Sequence, residues 1–410
     1  MYWRLRVVHR PQVFASKHDA IRRLAAFDDQ SKWTYWPPLL ASWWPFQLIV
    51  STLRGRALLK RAASIDYKLE LLACPDGGEV ALLWAHLVPK SDDQSHPALS
   101  EDSPVLCIFH TITFTPEPGS GDYTRVLCLE AMKRGFRPVV LLRRGHVPGR
   151  ALKTPRFCLI GLPADGRLQI QQVQARWPHA RLVGIAHSAG TGVLVRVAGE
   201  DQDACLLEAI ACNCPGYDTR NGGAFSRMNP ILQPYLLSTV RRFFFDGANG
   251  KALDELAADT ETFPGLATAL EAVRQAGTIA EVWSIICRDL MDFGGEDQAH
   301  EITNPMGTAN DITRPALVIN ALDDPICTMA KDYTGDDGFF CNSDCPRALV
   351  MARNGTHCCF HQGVRRPPLL CTELPCVLCF FSSNVFSHVC VTGTNVCAGA
   401  PRPQRSAVMG

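Results

Sequence analysis

Three residue types, in one chain order, could together cleave an ester: Ser188, one of the pair Asp323 and Asp324, and His357. A serine hydroxyl is a poor nucleophile at neutral pH. It needs an imidazole to take its proton and a carboxylate to orient that imidazole. Ser188 stands in Gly184-Ile-Ala186-His-Ser188-Ala-Gly190, with small residues two before and two after it. A strained strand-to-helix turn requires this, because larger side chains would collide with neighbouring backbone. A helix starting at Ala189 would also turn backbone N–H groups and a partial positive charge toward a developing oxyanion. The pattern alone is common by chance, so its weight comes from its position in the chain.

The aspartates follow the apolar run Leu317-Val-Ile-Asn-Ala-Leu322, and His357 lies in Asn354-Gly355-Thr356-His357. Nucleophile, acid, base is the order in which strand-turn-helix serine hydrolases carry their triad. Taken singly, Asp-Asp-Pro reads as a solvated turn and His357 as an ordinary loop histidine; the ordered set of three favours chemistry. Competing histidines fit less well. His187 is expected to point away from a pocket, His361 lacks the preceding Gly-Thr, and His110, at a strand end, is expected to be structural.

The elements that must position these residues alternate. Lys68–Leu72, the turn Asp76-Gly77-Gly78 and Val80–Trp84 read as a hairpin. Continuous apolar runs at 105–109, 138–142, 182–186 and 206–212 read as strands buried on both faces. Helical patterns fall between them, at 123–134 (stopped by Gly135), from Asp165 to Trp177, and after Ser188. Sheet character returns at 315–320 and 348–351. From about 215 to 310 the period is helical or irregular, as a lid over a substrate pocket or a set of crossover helices would be. The class is α/β, a doubly wound and mostly parallel sheet.

With 410 residues, 47% of them hydrophobic, the chain can bury a large core. Its 41 basic and 40 acidic residues leave a net charge of +1, which argues against nucleic acid as a partner. Of 18 cysteines, those before residue 340 mostly sit in apolar runs as free thiols would, which suits a reducing compartment. No secretory signal is evident, so the location is expected to be intracellular, cytoplasmic or membrane-associated. The Trp-rich run from Pro37 to Leu53 is too short for a span; it packs on the domain or makes peripheral membrane contact.

These segments resemble the YheT-like group of α/β-hydrolases, which includes eukaryotic lipid esterases and ethyl-ester synthases. The likeness is carried by Asp76-Gly-Gly with Trp84, Tyr123, Arg143-Arg144-Gly145, Leu152-Lys-Thr-Pro-Arg156, Asp165, Trp177-Pro-His-Ala-Arg-Leu182, Asn304-Pro305, Pro315 to Pro325, and Gly355-Thr-His357. It covers roughly residues 40–363. It implies an α/β-hydrolase fold with a helical lid insertion, Ser188 as nucleophile, Asp324 as the acid and His357 as the base. It also implies the backbone N–H groups of Ala189 and Ile112 as an oxyanion hole. Several positions depart from the group: Thr111 where relatives have glycine, Ala186 in the elbow, Ala189-Gly-Thr191 after the serine, and Thr356 before the base.

The expected organisation is a basic, Trp-containing segment over 1–64, the hydrolase domain over 65–363 with its lid at about 215–310, and a divergent Cys-rich tail over 364–410. Cys376-Val-Leu-Cys379 has metal-knuckle spacing without a second pair, so no metal is assigned, and no organic cofactor is required. The expected activity is cleavage of a lipid or medium-chain acyl ester through an acyl-enzyme, with the small-molecule ester as partner. Two other readings share the residues: an acyltransferase, and a catalytically impaired homologue that binds a lipid or a protein.

Overall fold

The computed structural model describes residues 65–88, 99–117, 122–328 and 347–358, with the strand at 12–15 and position 45. The Trp-rich run, apart from Pro45, the remainder of 1–64, and everything after residue 358 lie outside the described residues, as do His361 and the Cys376–Cys379 pair.

Among the described residues nine strands form: β1 (Gln12–Ala15), β2 (Ile65–Ala73), β3 (Glu79–Leu87), β4 (Val105–Phe109), β5 (Arg137–Leu142), β6 (Leu182–His187), β7 (Leu207–Asn213), β8 (Ala316–Ala321) and β9 (Arg347–Ala352). They form one sheet in the order β1-β9-β8-β7-β6-β4-β5-β3-β2. Strands β4 to β9 run parallel, while β2 and β3 pair antiparallel at one edge and β1 pairs antiparallel with β9 at the other. Parallel strands need covered crossovers, and α1 (Asp122–Met132), α2 (Pro163–Arg176) and α3 (Gly190–Asp201) supply three of them. The single exchange of β4 and β5, with the serine following β6, gives the expected α/β-hydrolase fold.

The expected strands and helices form within three residues of their bounds, the two hairpin strands β2 and β3 being the ones that run longest beyond them. Strand β1 is the exception. It comes from the segment set apart at 1–64, yet Gln12–Ala15 extends the sheet beside Ala348–Met351. Four residues carry too little pattern to read as a strand; a neighbouring edge supplies the hydrogen bonds that create one.

Alternation sorts the strand side chains between two cores. Leu106, Ile108, Val140, Leu142, Val183 and Ile185 pack with Leu127 and Met132 of α1. Their sequence neighbours Val105, Cys107, Phe109, Val139 and Leu182 pack on the other face with Ile170, Val173, Leu194 and Val197 of α2 and α3. Burying each such side chain is worth roughly 1.5–3 kcal/mol.

Between β7 and β8 the chain builds six helices: α4 (Ala224–Arg227), α5 (Gln233–Phe244), α6 (Gly247–Ala257), α7 (Leu266–Gln275), α8 (Ile279–Ile285) and α9 (Glu296–Thr303). Their apolar faces make a third core with the loop around Phe157–Leu162. Asn249 ties this layer to the sheet, accepting from Leu152 N at 3.0 Å and donating to Gly145 O at 2.9 Å. Among the described residues no helix is long and apolar enough to cross a membrane.

Candidate active site

Ser188 is the first residue beyond β6 and has φ of +51°. That left-handed conformation costs a non-glycine residue about 1–2 kcal/mol. The turn is held by Ser188 N donating to Asn213 O at 2.9 Å and Thr191 N donating to Ser188 O at 3.0 Å. Gly190 shows why a small residue is needed. A β-carbon there would lie 2.6 Å from the carbonyl oxygens of Phe109 and His110, so α3 can start against the end of β4 only through glycine.

The three expected side chains meet. Ser188 Oγ lies 2.7 Å from His357 Nε2, and His357 Nδ1 lies 2.9 and 3.1 Å from the Asp324 carboxylate oxygens. A carboxylate can only accept, so in the neutral ring the proton stays on Nδ1 and Nε2 is free to accept from the serine. Asp324 is anchored in turn, since Oδ1 accepts from Ile326 N at 2.8 Å and Cys327 N at 2.9 Å. Asp323 does different work: its Oδ1 accepts from Gly355 N at 2.7 Å and Thr356 N at 3.1 Å, fixing the loop that carries the histidine. Geometry therefore separates two aspartates that the residues alone left open.

Burial opposes the charge on His357, but the Asp324 carboxylate and the neighbouring thiols Cys358 and Cys327 carry its pKa well above the ordinary 6.5. Burial likewise pushes Asp324 up, and the charge and hydrogen bond of His357 with two backbone N–H groups bring it below the usual aspartate value. The two shifts agree in describing a carboxylate–imidazolium pair.

The altered loop before Ile112 is well braced. Thr111 is not among the residues with positive φ, so its backbone makes no demand for glycine. Thr111 N donates to Tyr123 Oη at 3.1 Å, and Arg143 Nη2 donates to Thr111 O at 2.7 Å. His110 is fully buried; its Nε2 accepts from Arg143 N at 3.2 Å and its Nδ1 donates to Thr111 O at 2.8 Å. That is the structural role expected of it. His146 Nε2 lies 2.9 Å from Ile112 O. His187 turns away from the serine's cavity, beside Asn213 Nδ2 at 3.3 Å, and burial holds its pKa down at about 4. Thr356 does adopt a positive φ, +49°, and its buried hydroxyl finds no partner among the described residues.

A cavity opens over Ser188, Ala189, Ile112 and His357, and its wall is apolar: Ile160, Tyr217, Phe225, Met228, Leu236 and Ile326. Four of these six come from the segment between β7 and β8. Sequence reasoning singled out none of the six, because a wall residue carries no chemical signature of its own. It also missed three cysteines around the histidine, Cys214, Cys327 and Cys358. Among the described residues two donor sets are close enough for an ion, Cys214/His357/Cys358 and Asp324/Cys327/His357; both share the histidine that contacts Ser188, and neither is assigned a metal.

No family model matches the chain. Human Protein ABHD15 is 26% identical over 246 residues, covering 59% of this chain and 48% of that protein. YheT of Escherichia coli strain K12 is 26% identical over 275 residues, 65% of this chain and 72% of YheT. Bovine Phospholipase ABHD3 is 24% identical over 325 residues, 76% of this chain and 71% of the relative. The chain thus spans about half the length of the human relative. Among solved structures, an esterase from Pyrococcus furiosus aligns over 79% of this chain and 92% of its own, at 13% identity and a TM-score of 0.44.

Proposed function

We propose, from the similarity of this chain to YheT and other α/β-hydrolase-domain proteins, that it is a serine hydrolase of carboxylic esters. The observation that carries the reading is the unbroken relay from Ser188 Oγ to His357 Nε2 and from His357 Nδ1 to Asp324.

In the first half-reaction Ser188 Oγ attacks the ester carbonyl as His357 Nε2 takes its proton. Asp324 keeps the ring in the needed tautomer and stabilises the imidazolium. The backbone N–H groups of Ala189, at the start of α3, and Ile112, on the braced loop, receive the oxyanion, each contributing roughly 3 kcal/mol. His357 returns the proton to the leaving alcohol, and water repeats the sequence to release the acid.

The apolar cavity wall suits an acyl chain, and bovine ABHD3 is named a phospholipase. We assign the substrate class as lipid or medium-chain acyl esters, with the helices between β7 and β8 as the lid that covers the chain.

A fluorophosphonate probe tests the reading, since it traps only a serine that its base activates. Labelling of the wild-type protein should vanish in Ser188→Ala. A folded wild-type protein that takes no label at all would overturn the assignment.

A further inference from the structure

Two thiols sit beside the base, on loops far apart in the sequence. Cys214 directly follows β7 and is buried, whereas Cys358 directly follows His357 and is partly exposed. Cys358 N donates to Cys214 Sγ at 3.3 Å, and Cys358 Sγ lies 3.8 Å from Asn213 O. The two sulfurs and a ring nitrogen of His357 all lie within 4.8 Å of one another. Both cysteines have positive φ, +50° and +55°. No step of ester cleavage uses either thiol.

We propose that Cys214 and Cys358 are a peroxide-sensitive dithiol whose disulfide draws the neighbouring His357 out of line with Ser188. The bond itself is independent of the catalytic reading; its effect on activity rests on it.

The roles of the two sulfurs follow from their surroundings. The Cys214 thiol as hydrogen-bond donor, working against burial, together with the His357 imidazole, brings the Cys358 thiol down to about 6. Burial and the facing Cys358 keep the Cys214 thiol protonated. Cys358 is therefore the thiolate that attacks peroxide: an S–O bond forms, the O–O bond breaks, and one water leaves. Cys214 then attacks the sulfenic sulfur; the S–S bond forms, the S–O bond breaks, and a second water carries off the thiol proton. Two thiols are oxidised by two electrons and one peroxide is reduced to two waters. An external dithiol reverses the step. A transient bond of this kind suits a chain in which the other cysteines among the described residues are buried free thiols.

Drawing the two sulfurs into bonding distance must shift residue 358, and a displacement near 1 Å at the adjacent base costs roughly a hundredfold in rate. The test treats the full-length protein with hydrogen peroxide, digests it without reduction, and looks for the Cys214–Cys358 linked peptide by mass spectrometry. In parallel, the fluorophosphonate labelling rate is followed before oxidation, after it, and after dithiothreitol. The linked peptide, with a roughly hundredfold loss of labelling rate that the dithiol restores, is expected. Cys214→Ala should lack the linked peptide and the reversible loss. Absence of the link in wild-type protein, Cys358 paired instead with Cys327, or unchanged labelling despite the link would each overturn the proposal. A link formed in protein that labels in neither state would sink the hydrolase reading and leave the dithiol standing.

Discussion

At His357 and Asp324 two ionisations are tied together, and the tie sets how activity responds to pH. The imidazole can take the proton of Ser188 only when it is neutral. Its pKa is raised, so the neutral form appears at higher pH than for an ordinary histidine. Labelling or ester cleavage should therefore increase with pH, with a midpoint above 6.5. Asp324→Asn removes the charge that raises the histidine, so the midpoint should fall while the rate drops on the order of ten-thousandfold. A pH profile of probe labelling in the two proteins checks both; a wild-type midpoint at or below 6.5 would show that Asp324 does not govern the base. Of these residues, the sequence order exposed Ser188 and His357 directly. It left the aspartates paired, because two adjacent carboxylates differ only in which way the chain turns them.

Between elements, Arg144, on the loop after β5, joins three of them. Its Nε donates to Asp165 Oδ2 of α2 at 2.7 Å and its Nη2 to Asp165 Oδ1 at 2.9 Å, while Nη1 reaches Asp76 Oδ2 of the β2–β3 turn at 2.7 Å. Arg144 and Asp165 are buried, at 6% and 7% exposure. One guanidinium thus pins a hairpin turn, a strand end and a helix start in a region that water hardly reaches. Removing one partner of such a group strands a buried charge, so Arg144→Ala should cost about 3–5 kcal/mol. Urea unfolding would read this as a lower midpoint, and a midpoint unchanged from wild type would mean the pairs contribute nothing net. Arg143-Arg144-Gly145 and Asp165 were visible as motifs, but their separation of about twenty residues hides the contact. A fork of donors between two carboxylates exists only after the sheet brings its edge to α2.

Across the whole molecule, loops at the strand ends carry the Ser188–His357–Asp324 relay, and the helical layer between β7 and β8 supplies most of the cavity wall. Selectivity for the acyl group should then be changed from the helical layer without touching the relay. Met228 faces the cavity and is 4% exposed. Met228→Trp would fill part of the space, and each methylene excluded from an apolar pocket is worth roughly 1–3 kcal/mol. The ratio of kcat/KM for a p-nitrophenyl octanoate over the acetate should fall at least about tenfold. An unaltered ratio would place the acyl chain elsewhere.

From the residues alone came the class of the fold, the order of its strands along the chain, and the candidates for nucleophile, acid and base. These depend on local properties: apolar runs make buried strands, small residues permit a sharp turn, and only certain side chains can act as nucleophile, acid or base. The tertiary structure decided what depends on distance in space. It separated Asp324 from Asp323 by their partners, added β1 to an edge that no local pattern announced, and replaced the missing glycine at Thr111 with bracing from Tyr123, Arg143 and His110. It also brought Cys214 to Cys358. Hydrogen bonds between segments distant in sequence leave no periodicity in either one, so these pairings became legible only when the sheet had brought the segments together.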